Sequence, residues 1–191
     1  MPFGRTPSVK FIATDLPGVV VIEPNAPEDT RGWFMETYHR QRFAAAGLDA
    51  EFVQDNHSRS SRGTLRGLHF QHPHGQVKLL RAVRGEVFDA CVDVRQGSPT
   101  FGRAFWTTLS EENHRQLWVP AGFAHGFCVV SESADLVYKA SDFYSPGDER
   151  GISWDDPALG IPWPVEGPLL SARDGRWSRL AGAEGLPPFN G

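Results

Sequence analysis

The stretch LWVPAGFAHG, residues 117–126, decides how the fold of this chain is interpreted. A short β-forming run over 116–119 leads into a Pro-x-Gly turn at Pro120–Gly122, and a second β-forming run follows over 126–130. This order predicts two strands joined by a tight turn, with His125 at the start of the second strand. In a closed β structure, that position places His125 at the mouth of a barrel.

Similar short runs fill the chain from Phe52 to Tyr144, separated by Gly- and Pro-containing turns such as Arg84-Gly85. They cover residues 52–53, 64–71, 77–83, 87–94, 104–109, 116–119, 126–130 and 136–141. Short, evenly spaced strands without intervening helices are typical of an antiparallel sandwich or barrel. Outside this region, RQRFAAAG (40–47) predicts a helix that ends at a glycine.

Length and composition are consistent with one soluble domain. The chain has 191 residues, 40% of them hydrophobic and 22% charged, which suits a single core. We expect an N-terminal arm over about 1–22. We also expect a tail over about 151–191, with one or two short helices, that wraps the barrel.

Charge and cysteine usage narrow the function classes. A net charge of −4 argues against nucleic-acid binding, because no basic surplus exists to neutralise phosphates. We expect no signal peptide, because residues 1–23 contain no apolar core long enough for one, and no apolar run is long enough to cross a membrane. Cys91 and Cys128 lie in apolar, strand-like runs, which predicts buried free thiols and a cytoplasmic location.

A second histidine-rich stretch, GLHFQHPHG (67–75), makes a metal the first hypothesis to test. His72 and His74 form an H-x-H pair, and His125 could supply a third imidazole. The stretches 67–75 and 117–126 form two half-motifs that resemble those of the cupin jelly roll. That fold is an all-β barrel or sandwich with a few short peripheral helices. Metal-binding cupins carry a carboxylate about four residues after the histidine pair. Here Lys78 occupies that position and would repel a cation, so we expect no metal.

The alternative is acid–base chemistry by a polar cluster in 64–78. Arg66, His69, Gln71, Gln76 and Lys78 interrupt an otherwise strand-forming segment. A histidine titrates near neutral pH and can both accept and return a proton. A neighbouring cation can stabilise the oxyanion of an enolate.

Strand alternation raises one geometric difficulty. It places His69 on one face of the strand and Arg66 on the other. If both side chains reach one site, Gly67 marks a β-bulge or Arg66 lies just outside the strand.

Eight strings together resemble the dTDP-4-dehydrorhamnose 3,5-epimerase family. They are QDNHS (54–58), LRGLHFQ (65–71), GEVFD (85–89), VDVR (92–95), SPTFG (98–102), QLWVPAGFAHG (116–126), YK (138–139) and WDDP (154–157). The resemblance runs in order from about Glu23 to Asp174. It implies an isomerase without metal or cofactor that acts on a dTDP-linked 4-keto-6-deoxy sugar. The expected reaction inverts carbons 3 and 5 of dTDP-4-dehydro-6-deoxy-D-glucose to give dTDP-4-dehydro-L-rhamnose, in dTDP-rhamnose biosynthesis.

The resemblance also implies residue roles. His69 is the expected base, Asp174 orients it, Lys78 holds the enolate oxygen, and Tyr138 delivers a proton to the opposite face of the sugar. The implied substrate-binding residues are Arg31, Glu36, Gln54, Asn56, Arg66, His125, Tyr144, Glu149 and Arg173. Family members are typically homodimers, so a homodimer is expected here.

Three departures from the family pattern lie outside the proposed proton chemistry. Arg173 stands where lysine is common, Phe143 where a second tyrosine is frequent, and Met35 where an aromatic residue is usual. Several alternatives stay open: a 3-epimerase or a 3,4-ketoisomerase acting on a related sugar, and, more distantly, a metal-dependent or non-catalytic sugar-binding cupin.

Overall fold

A computed structural model describes residues 9–190. Over this range the chain forms thirteen β-strands and one short α-helix. The strands are β1 (Lys10–Ala13), β2 (Val20–Glu23), β3 (Glu28–Asp29), β4 (Gly32–Trp33), β5 (Gln54–Ser61), β6 (Leu65–Gln71), β7 (Lys78–Arg84), β8 (Glu86–Asp93), β9 (Ala104–Ser110), β10 (Gln116–Val119), β11 (Phe123–Val129), β12 (Ser133–Ala140) and β13 (Glu149–Gly151). Helix α1 (Arg40–Ala45) lies between β4 and β5. The tail contains three 3₁₀ turns, at Pro157–Leu159, Asp174–Arg176 and Leu180–Gly182.

Two antiparallel sheets face each other. The larger has the strand order β1-β2-β10-β7-β12-β5, and the smaller has the order β13-β6-β11-β8-β9. Alternating side chains of both sheets point inward and form the main core. Its buried members include Val21, Leu80, Leu117 and Leu136 from the larger sheet and Val87, Cys91, Leu109 and Phe127 from the smaller. The predicted all-β cupin jelly roll is confirmed.

The tail lies against the outer face of the smaller sheet. Tail residues Ile152, Leu159 and Leu180 share a buried cluster with Leu68 and Phe70 of β6. β6 and β8 therefore bury apolar side chains on both faces, while their inward polar side chains remain available for a site. The two cysteines, Cys91 and Cys128, are free and buried as predicted.

Most predicted strands are present, but β5 and β11 begin at residues other than those predicted. The run predicted at 52–53 is not a strand, since β5 begins at Gln54 and continues through the polar residues to Ser61. Pairing nevertheless extends outward, because the Val53 N–H donates to the Ala140 carbonyl at 3.0 Å. β11 begins at Phe123, before His125, whereas the predicted run of 126–130 begins after it. His125 therefore lies inside the strand and is 8% exposed.

The N-terminal part adds short edge elements that the pattern did not indicate. Of the arm expected over 1–22, residues 1–8 lie outside the described range, and the rest includes β1 and the start of β2. The predicted helix is confirmed as α1, and Gly47 follows it with a φ of +80°. Within residues 9–190, no helix has the length and apolar character needed to cross a membrane.

Candidate active site

The strand pair β6–β11 resolves the alternation difficulty with a bulge. Its register shifts between Arg66 and His69, so that two residues of β6 oppose one residue of β11. Gly67 stands at this point with a φ of +126°. A Cβ at Gly67 would lie 2.6 Å from the Cα of Gly126, so a side chain does not fit. The bulge brings Arg66 and His69 into the same cavity.

A cavity of about 350 Å³ opens between the two sheets. All four predicted catalytic residues line it: His69, Lys78, Tyr138 and Asp174. So do most of the predicted binding residues, namely Gln54, Asn56, Arg66, His125, Tyr144, Glu149 and Arg173. Its lining also includes Ser58 and Ser171, which were not among the predicted site residues.

His69 and Asp174 form a close pair on one wall. Nε2 of the imidazole lies 2.5 Å from Oδ1 of Asp174, which is 3% exposed. Burial raises the pKa of Asp174, but hydrogen bonds from His69 and Ser171 outweigh that effect and leave the pKa below its ordinary value. The carboxylate is therefore ionised at neutral pH and can stabilise an imidazolium. Nδ1 of His69 has no hydrogen-bond partner within residues 9–190, which leaves that nitrogen free to accept a proton.

Tyr138 projects from the opposite wall. It lies in β12 of the larger sheet, whereas His69 lies in β6 of the smaller sheet. Burial, supported by the negative charge of Glu149, raises the pKa of Tyr138. The phenol therefore keeps its proton at neutral pH and can act as a donor.

Lys78, Asp89 and His125 form a cluster in which Asp89 and His125 are buried and Lys78 is partly buried. Burial lowers the pKa of Lys78 to about 8, against the opposing effect of the carboxylates of Glu149 and Asp89. Asp89 is fully buried, and its two oxygens lie 2.9 and 3.0 Å from Nε2 of His125. Burial raises the pKa of Asp89, while His125 and Lys78 oppose the rise. The ammonium of Lys78 thus faces the cavity with a carboxylate nearby that favours its charged form.

Asp89 was missed as a functional candidate, although the sequence contains a signal for it. In VFDACVDV (87–94), alternation places Asp89 on the same face as Val87 and Cys91, both of which are buried in the core. A carboxylate on an inward face needs a partner, because a buried unpaired charge is costly. His125 is that partner.

The histidines of the metal hypothesis are not brought together. His74 is exposed and bonds Asp148 through Nδ1 at 2.7 Å, whereas His125 points to Asp89. Across residues 9–190, no group of three or more His, Cys, Asp or Glu side chains is arranged to hold a metal ion.

Polar and aromatic side chains form the rim of the cavity. The hydroxyl of Tyr144 donates to Oε2 of Glu149 at 2.7 Å, and Arg173 forms an ion pair with the same oxygen. Gln54 accepts from the Tyr144 N–H at 2.9 Å and donates to Oδ1 of Asn56 at 3.0 Å. Nδ2 of Asn56 is buried and unpaired within the described range, so it is a donor available to a ligand.

Two predicted binding residues lie away from this cavity. Arg31, on the β3–β4 hairpin, is 80% exposed at its side chain and pairs with Asp29 at 2.6 Å. Glu36 forms an ion pair with Arg42 of α1. Both belong to an N-terminal segment that does not line the barrel interior. The structure of a single chain therefore does not bring Arg31 or Glu36 to the cavity.

Fold and site together define a class: a jelly-roll enzyme whose interior is arranged for acid–base chemistry, with a His–Asp pair on one wall and a lysine and a tyrosine on the other. The family model for dTDP-4-dehydrorhamnose 3,5-epimerase matches residues 13–182. The enzyme of that name from Shigella flexneri is 54% identical over 168 residues, which cover 87% of this chain and 93% of the relative. This chain belongs to the dTDP-4-dehydrorhamnose 3,5-epimerase family.

Two further comparisons bear on the fold and on the reaction. The crystal structure of dTDP-6-deoxy-D-glucose-3,5-epimerase from Legionella pneumophila, in complex with dTDP-4-keto-L-rhamnose, superposes with a TM-score of 0.93 at 44% identity. The match covers 96% of this chain and 100% of that one. A dTDP-4-dehydrorhamnose 3-epimerase from Streptomyces niveus is 45% identical over 159 residues, covering 82% of this chain and 77% of the relative.

Proposed function

We propose that this protein inverts carbons 3 and 5 of dTDP-4-dehydro-6-deoxy-D-glucose, using His69 as the base and Tyr138 as the acid. The 4-ketone of this sugar acidifies the protons on both neighbouring carbons. The observation that carries the assignment of roles is that His69 and Tyr138 project into one cavity from opposite sheets. A proton removed on one face of the ring and replaced on the other inverts the carbon.

The first step is proton removal by His69. Its Nδ1 accepts the proton from carbon 3 or carbon 5, and the electron pair of the broken C–H bond moves into an enolate on the 4-keto oxygen. The resulting imidazolium lies 2.5 Å from an ionised Asp174. This contact stabilises the charge that develops on the base in the transition state.

The enolate oxygen needs a cation beside it. Lys78 faces the cavity, and with a pKa of about 8 its ammonium is mostly charged at neutral pH. It can therefore donate a hydrogen bond to the oxyanion. His125, which Asp89 holds through Nε2, lines the same part of the cavity.

Reprotonation by Tyr138 completes each inversion. The phenol gives its proton to the enolate carbon on the face away from His69, and the electron pair returns from oxygen to re-form the ketone. The phenolate and the imidazolium then reset by exchanging protons with solvent. Burial raises the pKa of the phenol. The phenol is therefore a weak acid, which suits proton transfer to a strongly basic carbon.

The nucleotide end binds at the rim in this proposal. Arg66 and Arg173 supply guanidinium groups that suit diphosphate oxygens, and Tyr144, which is 48% exposed, offers a ring on which the base can stack. Gln54, Asn56 and Glu149 contribute polar contacts.

A homodimer accounts for Arg31 and Glu36. These two residues lie outside the cavity of their own chain, next to Trp33 and Phe34, which are 53% and 68% exposed. We infer that this segment reaches the rim of a second copy and completes its nucleotide site. The free, buried cysteines support a reducing compartment, and we propose the cytoplasm.

Inversion at carbon 3 alone is the second candidate, favoured by the 45% identity to the Streptomyces niveus 3-epimerase. Solvent deuterium incorporation followed carbon by carbon separates the two. The 3,5-epimerase predicts label at both carbons, and label at carbon 3 alone would select the second candidate.

The matched variants for this test are His69→Gln and His74→Gln. His69→Gln removes the proposed base, so we expect incorporation at both carbons to stop. His74→Gln changes a histidine that lies outside the cavity lining, so we expect incorporation near the wild-type rate. Undiminished exchange in His69→Gln would remove His69 from the role of base.

A further inference from the structure

Trp177 packs directly behind the proposed base. Its ring lies 6.3 Å from the His69 ring, centroid to centroid, at an interplanar angle of 69°. Trp177 also immediately follows the Asp174–Arg176 turn, which carries the carboxylate partner of His69. One residue thus contacts the base and adjoins the segment that holds its partner.

Gly151 provides the space for this indole. In the β13–β6 pair it stands opposite His69. A Cβ at Gly151 would lie 2.4 Å from Cε2 of Trp177 and 2.6 Å from Cδ2 and Nε1. The φ of Gly151 is not in the left-handed region, so the backbone conformation does not require glycine here. The close approach of the indole does.

The Asp174–Arg176 turn has few backbone anchors of its own. It is a three-residue 3₁₀ turn whose backbone bonds are local, such as Gly175 N–H to the Ser171 carbonyl at 3.2 Å. So short a turn does not fix its own position on the barrel. Beyond Trp177, the Ser153 N–H donates to the Ser178 carbonyl at 2.8 Å and ties the segment to the strand side.

The indole N–H makes no evident contribution to this contact. Nε1 of Trp177 is buried and finds no hydrogen-bond partner within residues 9–190. A buried unpaired donor is destabilising. The contribution of Trp177 therefore comes from the packing of its aromatic ring. A phenylalanine has a ring but no N–H, so it should retain much of that contribution.

We propose that Trp177 is a positioning residue for the proton base. Wedged against Gly151, it fixes the Asp174–Arg176 turn so that Asp174 meets Nε2 of His69. The catalytic consequence of this contact rests on the proposed function of His69, whereas the contact itself does not.

Two measurements on the full-length protein test this role. The first is the kcat and KM of epimerisation. The second is the downfield proton resonance of the His69 imidazole N–H held by Asp174, identified by its loss in Asp174→Asn. We expect Trp177→Ala to lower kcat at least tenfold with KM within twofold of wild type, and to broaden or abolish the resonance. Trp177→Phe should keep the resonance and stay within threefold of the wild-type kcat. Trp106→Ala, an aromatic on β9 that is 41% exposed, is the control and should change neither.

Gly151→Ala tests the contact from the other side and serves if Trp177→Ala does not fold. Its new methyl group should displace the indole and cause a similar loss, and combining it with Trp177→Ala should add little more. The proposal is overturned by an unchanged kcat and resonance in Trp177→Ala, by equal damage from alanine and phenylalanine, or by additive losses in the double variant. If the wild-type protein shows the resonance but incorporates no solvent deuterium into the sugar, the proposed function fails. The resonance alone then tests whether Trp177 positions Asp174 against His69.

Discussion

The two walls of the cavity carry one proton-transfer residue each and are built differently. Tyr138 lies in β12, whose eight residues pair with β5 in unbroken register. His69 lies in β6 next to a register shift, and its partner Asp174 comes from a turn 105 positions further along the chain. Alternation along β12 is sufficient to place the acid, because the register shift in its pairing with β7 lies between Asp135 and Leu136, away from Tyr138. Placing the base requires the bulge at Gly67, the contact between Gly151 and Trp177, and the docking of the tail.

This difference indicates where the enzyme is most sensitive. A regular ladder distributes its hydrogen bonds over many residues, so one substitution changes little of its geometry. The base wall combines three long-range features at one point, and each can be broken singly. We therefore expect changes around His69 to cost more than equivalent changes around Tyr138.

The largest effect is expected from Asp174→Asn. The amide keeps the size of the side chain but cannot stabilise an imidazolium, so kcat should fall about 10³-fold. Steady-state kinetics on the dTDP-linked keto sugar measures it. Asp155→Asn changes an exposed aspartate of the same tail and should leave kcat within twofold, while a loss of less than tenfold in Asp174→Asn contradicts the role given to the pair.

The next effect concerns the bulge. At Gly67 the φ is +126°, and a Cβ would lie 2.6 Å from the Cα of Gly126. Gly67→Ala should therefore lower the free energy of unfolding by about 3 kcal/mol or more. Gly97→Ala, with a φ of +87° and open space around it, isolates the conformational cost of about 1 kcal/mol. Gly147→Ala has neither problem and should be neutral. Denaturant unfolding compares the three, and equal losses at Gly67 and Gly97 would show that the close approach does not matter.

On the acid wall, Lys78→Met should separate activity from stability. Loss of the ammonium should lower kcat about 10²-fold, whereas removal of a desolvated charge should raise the free energy of unfolding at pH 7 by on the order of 1–3 kcal/mol. Lys10→Met, on the exposed edge strand β1, is the control and should change neither by much. A Lys78→Met variant that is both active and no more stable contradicts the role of a desolvated cation that holds the enolate oxygen.

The sign of the pH dependence follows from the same lysine. Its pKa is about 8 in the folded chain and 10.5 ordinarily, so between these values the unfolded chain binds more protons. Wild-type stability should therefore rise with pH across that window through this group, and the rise should be absent in Lys78→Met. In contrast, wild-type kcat should fall as pH increases past about 8, because the ammonium is lost.

The sequence was most informative where local pattern controls structure. Alternation and turn residues located most strands, and Gly67 between Arg66 and His69 indicated a bulge as one of two ways to bring both side chains to one site. The polar run of β5, QDNHSRSS, did not read as a strand, because this edge strand presents polar side chains on both of its faces. The short pairings of β1–β4 and β13 carry too few residues to form a pattern.

Long-range partners could not be read in the same way. Nothing local in Gly151 or Trp177 indicates that they pack against each other, since the contact exists only when the tail docks on β13. Asp174 was assigned from family resemblance alone, and so was Tyr138. Arg31 and Glu36 were assigned to the site on the same basis, yet one chain does not place them there.

The most direct measurement of the two-wall mechanism compares Tyr138→Phe with His69→Gln in deuterated solvent, scoring label and inversion separately at carbons 3 and 5. If His69 removes the proton and Tyr138 replaces it from the opposite face, Tyr138→Phe should still exchange label into the starting sugar without inversion. His69→Gln should show neither exchange nor inversion. Inverted product from Tyr138→Phe at the wild-type rate, or exchange in His69→Gln, would contradict a base and an acid on opposite walls.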